Sequence, residues 1–262
     1  MDLTLKDRVV LVTGGSRGIG HAIAGVLAEE GARVAICARD GDATAAAATE
    51  IGEACGGFGA DVSDDASVAG LIDKVVSQYG RLDAVVNNAG RFGGGPVAQL
   101  TDDGLYEGFD TKVTGALRVV RHALPHLRKS DQARIVNISG ISAQRVTPGA
   151  AVTAVANAGM LTLTGYLANE LIADGVLVNS VIPGYTLTGV WADRAAAVAE
   201  AEGITQTEAE QLILDRQAMG HSRWAEPEEI ARVVVFLLSG AAGFVNGVSM
   251  RVDGGQFAVV GY

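Results

Sequence analysis

Short β-branched runs alternate with longer segments of helical periodicity along almost the whole chain. RVVLVTG at 8–14 reads as a buried strand, 18–30 as a helix, RVAICA at 33–38 as a strand, and 42–54 and 64–79 as helices. LDAVVN at 82–87, ARIVNIS at 133–139 and VLVNSV at 176–181 read as strands separated by helices at about 103–129 and 150–173. A last helix at 227–239 begins on Pro227, whose fixed φ suits a first turn, and VSMRVD at 248–253 closes the chain as a strand. Strand runs this apolar are buried on both faces, which predicts an α/β fold: a doubly wound parallel sheet with helices on each side, joined by right-handed crossovers. The regular beat breaks only at 185–222, a long insertion carrying Trp191 and the helical stretch AEAEGITQTEAEQLIL, read as a substrate lid. Residues 1–262 are read as one domain, since no stretch rich in Pro or Ser divides the chain.

Composition narrows the function classes. Apolar residues are 48% and charged residues 19% of the chain, a packed globular profile. The formal charge is −10 and no Lys/Arg cluster stands out, which argues against nucleic acid or an anionic membrane as partner. Two cysteines, Cys37 and Cys55, are too few for a disulfide scaffold or a zinc site and suit a reducing cytoplasm. No apolar run long enough to span a bilayer and no basic leader is read, so neither membrane span nor export signal is expected. His122 and His126, four apart on a predicted helix, lack a third ligand and are read as a helix face, with no metal site.

The first strand runs directly into TGGSRGIG at 13–20 and then a helix. Gly14, Gly18 and Gly20 permit a tight turn, close approach of backbone to a phosphate and close helix packing, and the helix N-terminus offers free N–H groups. With DV at 61–62, NNAG at 87–90, PG at 183–184 followed by Thr188, and VDGG at 252–255, the chain resembles the short-chain dehydrogenase/reductase family over nearly its whole length. The resemblance implies a single-domain Rossmann fold of about seven strands. It also implies a homo-oligomer, tetramer or dimer, built on the long helices and the last strand, and a small-molecule substrate. By that similarity Gly14, Ser16, Arg17 and Ile19 face the cofactor phosphates, Asp61 and Val62 the adenine, Asn87 the adenosine ribose and Thr186 the nicotinamide amide, and Gly18, Gly20, Ala89 and Gly90 also belong to the cofactor site.

Charge decides between the two nicotinamide cofactors. A carboxylate ending the second strand would bind the ribose hydroxyls of NAD(H) and repel a 2′-phosphate. Here that strand ends in Ala38-Arg39, with Arg17 in the glycine turn, and two guanidiniums favour NADP(H) over NAD(H). A solvated Arg39 paired with Asp40 is the plainer alternative.

The catalytic pattern departs from the family's. There a serine, a tyrosine and a lysine four residues after it do the proton work, the tyrosine's pKa lowered from about 10 by neighbouring charge. In this chain the serine position falls on Gly140, the tyrosine position on Thr153 and the lysine position on Asn157, and a helix asparagine of the family is replaced by Lys112. Ser139 and Ser142 flank Gly140, so a serine hydroxyl is still expected near a substrate carbonyl. Thr153 keeps a hydroxyl, but set back toward the backbone, and Tyr166 stands about 20 Å further along the same helix. The exchange of residue types between Lys112 and Asn157 suggests an ammonium approaching the nicotinamide ribose from the opposite helix, and Tyr185 is a second candidate acid at the cofactor mouth. Three readings follow: an NADP(H)-dependent oxidoreductase on a carbonyl or alcohol with a non-standard proton donor, a catalytically silent cofactor-binding module or partner subunit, and a non-redox lyase or isomerase on the same fold. The first is favoured, by analogy of fold.

Overall fold

In the computed structural model, which describes residues 3–91, 93–217 and 223–256, seven parallel strands form one sheet in the order β3-β2-β1-β4-β5-β6-β7. They are β1 Val9–Thr13, β2 Arg33–Ala38, β3 Cys55–Gly59, β4 Ala84–Asn87, β5 Arg134–Ile138, β6 Leu177–Pro183 and β7 Ser249–Val252. The strands are apolar on both sides because each face meets helices. Val10 and Val12 of β1, with Val34 and Ile36 of β2, pack under helices α1 (Gly18–Glu29), α2 (Gly41–Ile51) and α9 (Pro227–Leu238). Val9 and Leu11, with Ala35 and Cys37, face α3 (Asp65–Tyr79), α5 (Gly115–Leu127) and α6 (Ala151–Glu170). Strand order reverses between β1 and β4, and the crevice beyond their carboxyl ends is where open α/β sheets bind ligands.

Several predicted elements change. The third strand, CGGFG, escaped the pattern because three of its five residues are glycine, and packing explains why: a Cβ at Gly56 would lie 2.5 Å from the Tyr79 hydroxyl, and one at Gly57 2.6 Å from the Thr44 carbonyl oxygen. The predicted helix 103–129 is two helices, α4 (Asp102–Phe109) and α5, joined by one π turn at Asp110–Thr114 that carries Lys112. The insertion at 185–222 holds α7 (Gly189–Glu202) and α8 (Gln206–Gln217), separated by Gly203 at φ +68°, so the single helical stretch is broken by a left-handed cap; its residues 218–222 lie outside the described residues.

Contrary to expectation, residues 151–174 are apolar enough to cross a membrane by length and composition, with mean hydropathy 1.3. In the fold this segment buries Val152, Ala156, Met160, Leu167 and Ala168, the pattern of a core helix. Cys37 and Cys55 form no disulfide, and burial pushes both thiols up to about 12. His122 Nε2 donates to the Asp65 carboxylate at 3.1 Å, and no metal-holding cluster occurs among the described residues.

Candidate active site

The glycine turn is locked to the loop after β4 by a small set of hydrogen bonds. Thr13 Oγ1 accepts from the N–H groups of Asn88 and Ala89, both at 3.0 Å, while Asn88 Nδ2 donates to the carbonyls of Thr13 and Gly14 at 3.0 Å. Gly14 and Gly18 have φ +64° and +58°, where L side chains are strained. A Cβ at Gly20 would sit 2.3 Å from the Gly14 carbonyl oxygen. Helix α1 then starts with no side-chain cap and no acidic residue in its first turn, leaving its N–H groups directed at the crevice.

Arg17 and Arg39 are both exposed beside this turn, and neither joins an ion pair among the described residues. Asp40 does not pair with Arg39; its carboxylate accepts from the Ala43 N–H at 3.0 Å and caps α2. The Asp61 carboxyl accepts from the Ser63 N–H at 2.9 Å and the Ser63 hydroxyl at 2.6 Å. Its partial burial pushes the pKa up, but those bonds and the charges of Arg39 and Arg118 outweigh that and hold it below the usual carboxylate range. Val62 is buried under Gly115. Asn87 Nδ2 donates to Asn137 Oδ1 at 2.8 Å, while Asn87 Oδ1 is buried with no partner. Thr186 is buried after the Pro183-Gly184 turn, its hydroxyl donating to the Gly184 carbonyl at 3.1 Å.

The expected proton-transfer residues sort into those already engaged and those still available. Ser139, expected near a substrate carbonyl, is instead turned inward: its hydroxyl donates to the Asn157 carbonyl at 2.9 Å. Thr153 is also engaged, bonded in both directions to the backbone of Gly93. Ser142 accepts from Asn157 Nδ2 at 2.8 Å and so retains its own hydrogen to donate. A Cβ at Gly140 would stand 2.7 Å from Asn157 Nδ2, so a side chain there would displace the Asn157 amide from Ser142. Asn157 Oδ1 is a second buried acceptor without a partner. Tyr185 is packed edge-on against Trp191 at 5.0 Å and Trp224 at 5.8 Å; burial raises its phenol pKa against the opposing charges of Arg145 and Arg194, the wrong direction for an acid near neutrality.

Lys112 differs from all of these. The π turn points it toward NNAG, so that its Nζ lies 3.4 Å from where a Cβ at Gly90 would be. The side chain is half-buried, and no carboxylate pairs with it among the described residues. Burial pushes its ammonium down to about 8. Sequence reasoning missed that it sits in a π turn; such single extra-residue turns gather at functional sites, and none of the helix periodicity at 103–129 discloses one.

A family model described as enoyl-(acyl carrier protein) reductase matches residues 14–256. The acetoacetyl-CoA reductase of Shinella zoogloeoides is 38% identical over 97% of this chain and 100% of its own length. The cis-4-hydroxycyclohexanecarboxylate dehydrogenase of Sinomonas cyclohexanicum is 36% identical over 99% of this chain and 100% of its own. The crystal structure of L-sorbose reductase from Gluconobacter frateurii, complexed with NADPH and L-sorbose, superposes with a TM-score of 0.95 at 30% identity, covering 99% of this chain and 100% of that one. With its seven-stranded sheet and glycine turn, the chain belongs to the short-chain dehydrogenase/reductase family, a family of oxidoreductases.

Proposed function

We propose that this protein is an NADP(H)-dependent oxidoreductase that interconverts a carbonyl and an alcohol on a small molecule, with Lys112 in place of the family's tyrosine as proton donor and acceptor. The cradle fits the cofactor: Gly14 and Gly20 leave room no side chain could share, Asn87 Oδ1 is a buried acceptor awaiting a hydroxyl, and Arg17 with Arg39 offers unpaired guanidiniums for a 2′-phosphate. Gly14, Ser16, Arg17, Gly18, Ile19 and Gly20 would hold the phosphates, Asp61 and Val62 the adenine, Asn87, Ala89 and Gly90 the ribose region, and Thr186 the amide. Bound there, the nicotinamide would supply or accept the hydride. Lys112 then gives a proton to the substrate oxygen in reduction and takes one from the alcohol in oxidation, while Ser142 donates a hydrogen bond to the same oxygen.

The observation that carries this reading is the placement of Lys112. A titratable ammonium, tuned by burial toward neutrality and lying against Gly90, is the group at this end of the sheet best suited to general acid–base work. The engaged hydroxyls of Ser139 and Thr153 favour a second reading, a cofactor-binding protein that does not turn over. Titration with NADPH and with NADH, followed by nicotinamide fluorescence, and then a panel of ketones at stoichiometric protein, separates the readings. Preference for NADPH with single-turnover oxidation supports the oxidoreductase; NADPH binding without oxidation of any carbonyl favours the silent module; binding of neither cofactor rejects both.

Gly20→Ala tests the cradle itself. Its Cβ cannot coexist with the Gly14 carbonyl, so the turn must shift, with an overpacking cost of roughly 1–3 kcal/mol or more in stability. Thermal melts are expected to fall by several degrees, and NADPH titration of the folded fraction to show no binding. The apolar residues left exposed on α5 and α6, Leu117, Val155 and Tyr166, suit a homo-oligomer, dimer or tetramer, and the two unpaired thiols suit a reducing cytoplasm.

A further inference from the structure

The segment after NNAG reads RFGGG, which by composition is a slack linker. Its backbone is instead docked on the start of α6. Thr153 Oγ1 donates to the Gly93 carbonyl at 3.0 Å and accepts from the Gly93 N–H at 3.0 Å, and the Thr153 N–H donates to that same carbonyl at 3.3 Å. Two residues on, the Gly95 N–H donates to the Gly149 carbonyl at 2.8 Å. A Cβ at Gly94 would stand 1.8 Å from the Gly149 carbonyl oxygen, and Gly95 has φ +148°, so neither position tolerates a side chain. Val152 is gripped between the strap and α4, 3.3 Å from a Cβ at Gly93 and 2.4 Å from one at Gly108. A cavity of about 160 Å³, bordered by Arg91, Thr101, Glu107 and Val152, lies against the same strap. Packing therefore holds the strap on one side only, and the hydrogen bonds decide where it rests.

We propose that Thr153 is a positioning residue that staples the Gly93–Gly95 backbone over the place the family's phenol would take, so that this strap, rather than an aromatic ring, forms that wall of the substrate site. A ring leaving Cβ in the direction of the Thr153 hydroxyl runs into Gly93, whose carbonyl and N–H both already lie 3.0 Å from the Oγ1. Three glycines and a short hydroxyl are thus one adaptation: the loop comes in as far as the ring would have reached. The oxidoreductase reading enters only through the identity of the site that the strap borders; the staple itself is read without turnover.

Amide hydrogen exchange of the full-length protein, resolved at Gly93 and Gly95, tests this. Thr153→Val keeps the shape and removes both hydroxyl bonds, and is expected to speed exchange at these two amides about tenfold or more. Thr153→Ser restores protection. Thr153→Tyr/Asn157→Lys, which restores the family's tyrosine and lysine but not its serine, is expected to release the strap as well. In a turnover assay Thr153→Val raises KM with little change in kcat, the mark of lost positioning and not of a lost acid. NADPH affinity equal to the unsubstituted protein's shows that each variant is folded. Unchanged exchange in Thr153→Val, or a Tyr/Lys variant as protected as the original, overturns the proposal. Failure of the original protein to bind NADPH would overturn the proposed function and leave the exchange test intact.

Discussion

Lys112→Met is expected to cut turnover by about 10²- to 10⁴-fold, the usual contribution of a general acid or base, while making the protein more stable. The two effects come from one cause. Burial disfavours the ammonium, which is why its pKa falls from 10.5 to about 8. Between those values the unfolded chain binds more protons than the folded one, so stability rises with pH from about 8 toward 10.5, and below 8 the full cost of holding a desolvated charge is present. Methionine removes that cost. The melting temperature of Lys112→Met should therefore exceed the unsubstituted protein's at pH 7, and the difference should shrink as pH approaches 10. Turnover adds an independent reading. Reduction needs the ammonium and is expected to fall as pH rises through about 8; alcohol oxidation needs the free amine and should rise through the same value. Lys112→Arg keeps the charge but does not titrate in this range, and should rescue neither profile. A Lys112→Met variant with unchanged turnover, or pH profiles unaffected by it, would remove Lys112 from the mechanism.

The next largest effect is expected at the pair of arginines. Arg39→Ala should weaken NADPH about 10- to 100-fold, the loss of a charge-assisted hydrogen bond to phosphate, and leave NADH nearly unchanged, whereas Arg17→Ala, which also faces the shared phosphates, should weaken both cofactors and NADPH the more. Arg39→Asp should go further and reverse the preference, since a carboxylate at the end of β2 binds ribose hydroxyls and repels the 2′-phosphate. Arg39 is left available for that role: Asp40, its neighbour in sequence, is occupied as the cap of α2, and Asp61, whose carboxyl the Arg39 charge helps hold low, forms no ion pair with it among the described residues. Parallel NADPH and NADH titrations at fixed, low ionic strength measure the ratio, since exposed charges are screened by salt. Equal losses for both cofactors would mean that the arginines hold the shared phosphates or the fold, not the 2′ position.

The hydrophobic pattern of the chain determined a good deal. Apolar runs such as VVLVT announced strands covered on both faces, and with helical segments alternating between them a parallel doubly wound sheet is expected. The glycine turn was legible because the backbone conformations at Gly14 and Gly18 and the close approach at Gly20 depend on local sequence. The absence of a tyrosine at 153 and a lysine at 157 was equally plain, as were the charges at Arg17 and Arg39.

Tertiary structure decided the rest, wherever the partner of a residue lies far along the chain. The strand at Cys55–Gly59 is invisible to periodicity because its glycines answer to Tyr79 and Thr44, not to their neighbours. Ser139 and Ser142 look alike in sequence, yet one hydroxyl is turned into the Asn157 carbonyl and the other is left with a hydrogen to give. The π turn aims Lys112 at Gly90, a direction that a regular helix would have rotated away. Thr153 reads as a shortened catalytic residue until Gly93, sixty positions earlier, is seen on its hydroxyl. Local propensity sets which elements form, but hydrogen-bond partners and side-chain directions are settled only when distant segments are brought into contact, and this protein's chemistry depends on those.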